Sequence, residues 1–185
     1  TMAAAAVVGN KIYVIGGGNK DSFLPTIRPS VAIYDPASNS WTQGADMPTP
    51  RFLHAAAAFE GKIYAMGGTV NGNDIYTDIV ERYDPATDTW TTVASMLNRK
   101  RGHSASVLRG GIYSVGGVAM GFGLSGLVES YDPQGNRWIS RPDLEYRRVG
   151  HNSLAVDVHT IAFGGFSSSP ALTKPAVVET EIYTD

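Results

Sequence analysis

His54, His103 and His151 each stand three residues after a cation, at Arg51, Lys100 and Arg148. Imidazoles that recur in register can converge on one point, and three of them form a set that zinc accepts. No acid or cysteine accompanies them in the motif, and a hydrogen-bonded histidine at a strand start explains them equally well, so no metal site is assigned. The cations form the denser constellation. Arg99, Lys100 and Arg101 are consecutive, as are Arg147 and Arg148, with Arg51 in an equivalent place and Arg28 earlier in the chain. Guanidinium and ammonium groups grouped in this way suit carboxylates and phosphates. Acids that could serve general acid–base chemistry are Asp21, Asp74, Asp78, Asp143 and Glu145, but they share no spacing that suggests a pair. No nucleophile–histidine–acid constellation is visible, and Gly16-Gly17-Gly18 opens no helix, as a dinucleotide fingerprint would require. No catalytic residue and no cofactor is expected.

The elements that must position these residues follow from self-similarity. A diglycine closes an apolar strand four times, ending at Gly17, Gly68, Gly117 and Gly165, at intervals of 51, 49 and 48 residues. Tyr-Asp-Pro follows at Tyr34, Tyr83 and Tyr131, and seven residues beyond each Tyr stands Trp41, Trp90 or Trp138, which are all the tryptophans of the chain. Asp and Pro suit the first two positions of a β-turn, and Asn39, Asp88 and Asn136 fall where a left-handed residue is tolerated. Each repeat therefore reads as four antiparallel strands. Strand A is a run of small residues, strand B carries the diglycine, strand C ends in Tyr, and strand D carries Trp. The crowding of Ala and Ser in strand A places it innermost.

This register resembles the kelch repeat, whose period is about 50 residues. The resemblance covers the whole chain. It implies an all-β fold: a kelch-type β-propeller of four antiparallel blades, at about 1–44, 45–94, 95–141 and 142–185, within a single domain. EIYTD, at 181–185, aligns with a third strand, so the fourth blade lacks its outer strand. Three arrangements satisfy that count: a part of a larger ring, a four-bladed ring with one short blade, or an open arc that self-associates to cover its exposed blade faces. Propellers have about four to eight blades.

In an up-and-down blade, the D–A and B–C connections emerge on one face and the A–B and C–D turns on the other. The first face gathers the long, variable loops, and binding residues concentrate on such loops when a rigid scaffold holds them. It also gathers the cations. Arg51, Arg99, Lys100, Arg101, Tyr146, Arg147, Arg148 and Phe122 are the candidate ligand-binding residues, with Phe23, Tyr76 and Phe166 as further aromatics on that face. Aromatic and arginine side chains together form the usual hot spots of protein interfaces. The expected partner is a protein or peptide of acidic character, or an anionic small molecule. The resemblance also implies a structural reading for Arg51, Lys100 and Arg148, as partners of Glu81, Glu129 and Glu181 on strand C; the first blade has Ala32 at that place. Galactose oxidase-like propellers need a Tyr–Cys crosslink, which a chain without cysteine cannot make. The alternative to a recognition module is a sugar-active enzyme resembling the kelch-type sialic-acid mutarotases.

A net charge of −2 gives no general attraction to nucleic acid or to an anionic membrane. No apolar run approaches the ~20 residues that span a bilayer. The first 17 residues lack a basic lead and read as strand, turn and strand, so neither a signal peptide nor a transmembrane segment is expected and the chain is expected to be soluble.

Overall fold

A computed structural model describes residues 2–19, 26–70, 75–167 and, as backbone, 181–184. Its regular structure is entirely strand. In the first blade, β1 (Ala4–Val8) and β2 (Lys11–Ile15) are followed by a short pair, β3 (Gly18–Asn19) and β4 (Thr26–Ile27), then by β5 (Val31–Asp35) and β6 (Ser40–Gly44). The second blade repeats this with β7 (Ala55–Phe59), β8 (Lys62–Met66), the pair β9 (Thr69–Val70) and β10 (Ile75–Tyr76), β11 (Val80–Asp84) and β12 (Thr89–Val93). The third opens with β13 (Lys100–Arg101) and continues through β14 (Ser104–Leu108), β15 (Gly111–Val115), β16 (Val118–Ala119), β17 (Gly123–Leu124), β18 (Val128–Asp132) and β19 (Arg137–Arg141). The fourth has β20 (Asn152–Val156), β21 (His159–Phe163) and β22 (Glu181–Thr184).

The long strands pair antiparallel in the order β1-β2-β5-β6, β7-β8-β11-β12, β14-β15-β18-β19 and β20-β21-β22. These are four propeller blades, the last with three strands among the described residues. The B–C segments, which look patternless in sequence, each begin as a small hairpin in the first three blades: β3–β4, β9–β10 and β16–β17. Backbone groups leaving a diglycine still need partners, and a two-residue ladder supplies them whatever the side chains are.

Strands β1, β7, β14 and β20 pack against one another in succession, which puts the small-residue strands innermost. Between blades, alternate residues of adjoining sheets interlock. Ala55, Ala57, Tyr64, Met66 and Val80 of the second blade meet Ile112, Tyr131 and Trp138 of the third. Polar latches hold the outer ends of these interfaces. Trp90 Nε1 donates to Ala45 O at 2.9 Å, and Trp138 Nε1 to Ala94 O at 2.9 Å. The turn residue beside each Trp receives the return bond: Asp88 Oδ1 accepts from Ala45 N, and Asn136 Oδ1 from Ala94 N. Both sit in the left-handed region, at φ 52° and 46°, which aims the side chain at the neighbouring blade.

The first and fourth blades leave their outward faces open. Trp41 is 59% exposed where Trp138 is 8%, and Leu154 is 57% exposed where the equivalent Ala57 and Ser106 are buried. Among the described residues the four blades form an arc, and the first and fourth are not packed against each other.

Candidate functional site

The D–A links and the B–C hairpins lie on one face because they bond directly to each other. Phe52 bridges Thr69, β13 pairs with β16, and Val149 bridges Phe166. Successive links also step from blade to blade around the axis: Leu53 N donates to Met2 O, Gly102 N to Leu53 O and Gly150 N to Gly102 O, at 3.1, 2.8 and 2.9 Å. All four of those residues have positive φ, so each link turns the same way.

Beneath that belt lie the histidines. The ring of His54, His103 or His151 sits between the second glycine of its own blade and the first glycine of the blade before. A Cβ on Gly16, Gly67 or Gly116 would meet the imidazole Cε1 of the next blade at 2.9, 2.6 or 2.7 Å. One on Gly68, Gly117 or Gly165 would meet the same blade's histidine Cβ at 2.7, 2.9 or 2.8 Å. Burial, reinforced by nearby Arg51, Lys100 and Arg148, pushes the rings below their ordinary pKa: His54 to about 3, His151 to about 4, and His103 well below 6.5. His151 Nε2 and Ser104 Oγ are hydrogen-bonded at 2.8 Å across two blades. The histidines are neutral wedges between blades. Among the described residues, no group of three His, Asp or Glu is placed to hold a metal ion.

Three of the eight candidate binding residues are fully buried, and this corrects the expectation that they reach a ligand. Arg51 pairs with Glu81 at 2.6 Å and donates to Thr49 O, Gly67 O and Ile79 O. Lys100 pairs with Glu129 at 3.2 Å and reaches Ser114 O and Leu127 O. Arg148 donates to Ala162 O from a site with no exposed surface. A side chain without exposed surface cannot meet a ligand from solution. Arg51 and Lys100 tie their links to the blade that follows, as the structural reading implied, while the Glu181 side chain expected beside Arg148 lies outside the described residues.

The other five stand at or near the surface. Arg99 is exposed and lies 3.5 Å from Asp78. Arg101 is half-buried, its guanidinium 4.6 Å from the Tyr76 ring centre. Tyr146 is half-buried and Arg147 exposed. Phe122, at the tip of the third hairpin, is 72% exposed. Phe122, Leu124, Leu127, Asp143 and Arg147 line a notch of about 130 Å³ between that hairpin and the link into the fourth blade. The sequence reading missed three exposed apolar neighbours, Ile75, Leu97 and Met120. Their signal was position: they fall in links and hairpins, where strand alternation cannot bury them. Phe23, Asp21 and Asp74 lie outside the described residues.

A family model described as the KLHDC2/KLHL20/DRC7 Kelch-repeats domain matches residues 1–165. The chain belongs to the kelch-repeat family. An F-box/kelch-repeat protein of Arabidopsis thaliana is 41% identical over 38% of this chain and 23% of its own length. Kelch-like protein 33 of Homo sapiens is 35% identical over 37% of this chain and 12% of its own. Kelch-like ECH-associated protein 1A of Danio rerio is 37% identical over 35% and 11%. The matched stretches span less than a quarter of these relatives' length. In this kelch chain no helix among the described residues is long and apolar enough to cross a membrane.

Proposed function

We propose that this kelch domain is a recognition module whose link-and-hairpin face binds a protein or peptide segment carrying acidic side chains beside an apolar anchor. The observation that carries this reading is the notch where exposed Arg147 flanks exposed Phe122. An aromatic beside a guanidinium is the usual composition of an interface hot spot. Arg99 and Arg101 extend the positive surface along the preceding link, while Leu97, Met120 and Ile75 extend the apolar one. The relatives' names point the same way: one is named as ECH-associated, and another joins kelch repeats to an F-box. The ligand contacts assigned here are Arg99, Arg101, Phe122, Tyr146 and Arg147.

The test is binding to a panel of fluorescent peptides rich in Asp and Glu, with and without Leu or Phe, against a Lys-rich control. Phe122→Ser and Arg147→Ser should each weaken binding of the acidic, apolar members at least about tenfold, which is about 1.4 kcal/mol. Both are surface changes, so melting temperature should hold. No binding by any acidic member, or binding by both variants as tight as the parent's, would remove the reading.

A further inference from the structure

The notch beside Arg147 is bounded on one side by the open edge of a small sheet. Strands β13, β16 and β17 pair in that order, so β17 is an edge strand. Ser125 N donates to Gly117 O, the residue before β16, at 2.8 Å. Residues of an antiparallel pair face their partner and turn from it alternately. Leu124, which pairs with Val118, therefore directs its N–H and C=O away from β16. Gly126 faces the same way, and there Leu144 N donates to Gly126 O at 2.8 Å. The link leaves the edge after that bond and returns at Arg148, whose N donates to Ser125 O at 3.3 Å. Among the described residues nothing bonds the outward groups of Leu124, which lines the notch with Gly126 and Arg147.

The preceding repeat shows what fills this place. Arg99 and Arg147 hold the same position in their links, each directly before the buried cation. Asp78 and Gly126 are likewise equivalent, since each accepts from the first residue of that link, Met96 N or Leu144 N. In the second blade Arg99 lies 3.5 Å from the Asp78 carboxylate, and the Arg101 guanidinium covers the Tyr76 ring. The third blade has Gly126, Val149 and Leu124 in the places of Asp78, Arg101 and Tyr76. Arg147 thus lacks the carboxylate its counterpart has, among the described residues, and the gap stays open.

We propose that an extended segment of the acidic ligand adds to the edge of β17, exchanging two backbone hydrogen bonds with Leu124 while one of its carboxylates takes, at Arg147, the place that Asp78 holds at Arg99. This rests on the peptide-binding reading of the face and specifies its mode. Strand addition to an open edge draws affinity from main-chain bonds and specificity from alternate side chains. The ligand residue opposite Leu124 donates its N–H to Leu124 O and accepts from Leu124 N. A helical ligand already uses those groups within itself. Asp143 lines the same notch and opposes a second carboxylate in it.

The probe is a blocked, fluorescent Glu-Leu-Asp-Leu-Glu peptide, with a set of copies each N-methylated at one residue. At one interior residue methylation should weaken binding at least about tenfold, while at its two neighbours, whose N–H groups point away from the edge, the change should stay within about twofold. In the saturated complex, hydrogen exchange of the Leu124 amide, read by NMR, should slow at least about tenfold. Uniform tolerance or uniform loss across the methylation scan, or unchanged exchange at Leu124, would overturn strand addition. The acidic reading of the face survives that result, because Phe122→Ser and Arg147→Ser test it separately. If this probe fails to bind while another acidic peptide of the panel binds, the extended mode is wrong and the face is right; if no acidic peptide binds, both fall.

Discussion

The imidazole of His103 lies against Gly67 of the preceding blade, where a Cβ would come within 2.6 Å of the ring. The repeated diglycine and the repeated histidine are thus one device. The glycine leaves the gap, and the histidine of the next blade fills it. Gly67→Ala should cost about 1–2 kcal/mol for its positive φ and a further 1–3 kcal/mol for overpacking. Gly61→Ala has positive φ but open space around it, so it should pay only the first of these. Denaturant titration of the pair would separate the two costs, and equal losses would mean that the histidine contact carries no weight.

Acid should act through the same wedges. His54, His103 and His151 are held neutral, first by burial and then by the neighbouring cations. Their folded pKa values lie below the unfolded value of about 6.5. The unfolded chain therefore binds protons that the folded one refuses, and stability falls as pH drops below 6.5, until about 4 for His151 and about 3 for His54. Above pH 6.5 this contribution is fully present. Denaturation midpoints between pH 7 and 4.5 should fall steadily, ahead of the carboxylates. A flat profile in that window would mean that the rings are solvated.

The buried cations should behave as struts and the exposed ones should not. Glu81→Ala strands the Arg51 guanidinium, which has no exposed surface, and should cost about 3–5 kcal/mol. Arg99→Ala, on the surface one residue before Lys100, should change stability by no more than about 0.5 kcal/mol. Thermal melts of both variants check this, and a mild Glu81→Ala would return Arg51 to the binding face.

This contrast marks where sequence reasoning stops. Period, strand order and turn residues were legible because each rests on local backbone chemistry: Asn39, Asp88 and Asn136 all adopt the left-handed conformation their turns predict. Which cation reaches solvent was not legible. Arg147 and Arg148 are adjacent and chemically identical, yet one is exposed and the other fully buried. A link that bonds to the B–C segment after it, as Val149 does to Phe166, alternates its side chains like a strand, and that pairing depends on a loop without a sequence pattern. The small hairpins of the B–C segments were hidden for the same reason.

Packing at the blade rims gives a further test. Trp138 stacks near Tyr131 with ring centres 5.4 Å apart and donates to Ala94 O of the preceding blade. Trp138→Ala should lose about 3–5 kcal/mol through the cavity left behind. Trp138→Phe keeps most of the apolar contact and drops the indole donor, leaving Ala94 O without it, for about 1–3 kcal/mol. Equilibrium unfolding of the two variants orders these terms, and a Phe variant as damaged as the Ala one would shift the weight from packing to the hydrogen bond.

Asp78 allows the charge logic of the proposed face to be tested with opposite signs. Its carboxylate lies 3.5 Å from Arg99 Nε, on an exposed surface where a single pair is worth about 0–1 kcal/mol. Replacing Arg99, Arg101 and Arg147 together with Ser removes three positive groups and should weaken an Asp/Glu-rich peptide that carries Leu or Phe by more than the roughly tenfold expected of Arg147→Ser alone. Asp78→Asn removes the group that competes for Arg99 and should tighten the same peptide. Both effects should shrink as salt rises, since exposed charges are screened beyond about 8 Å at physiological ionic strength. Arg101 lies over Tyr76, so the triple variant also loses a contact worth about 0.5–1 kcal/mol and should melt slightly lower. Calorimetric titration at 50 and 300 mM salt reads all of these together. If Asp78→Asn weakens the peptide, or the triple variant binds as tightly as the parent, then attraction between this face and an acidic ligand is not what holds the complex.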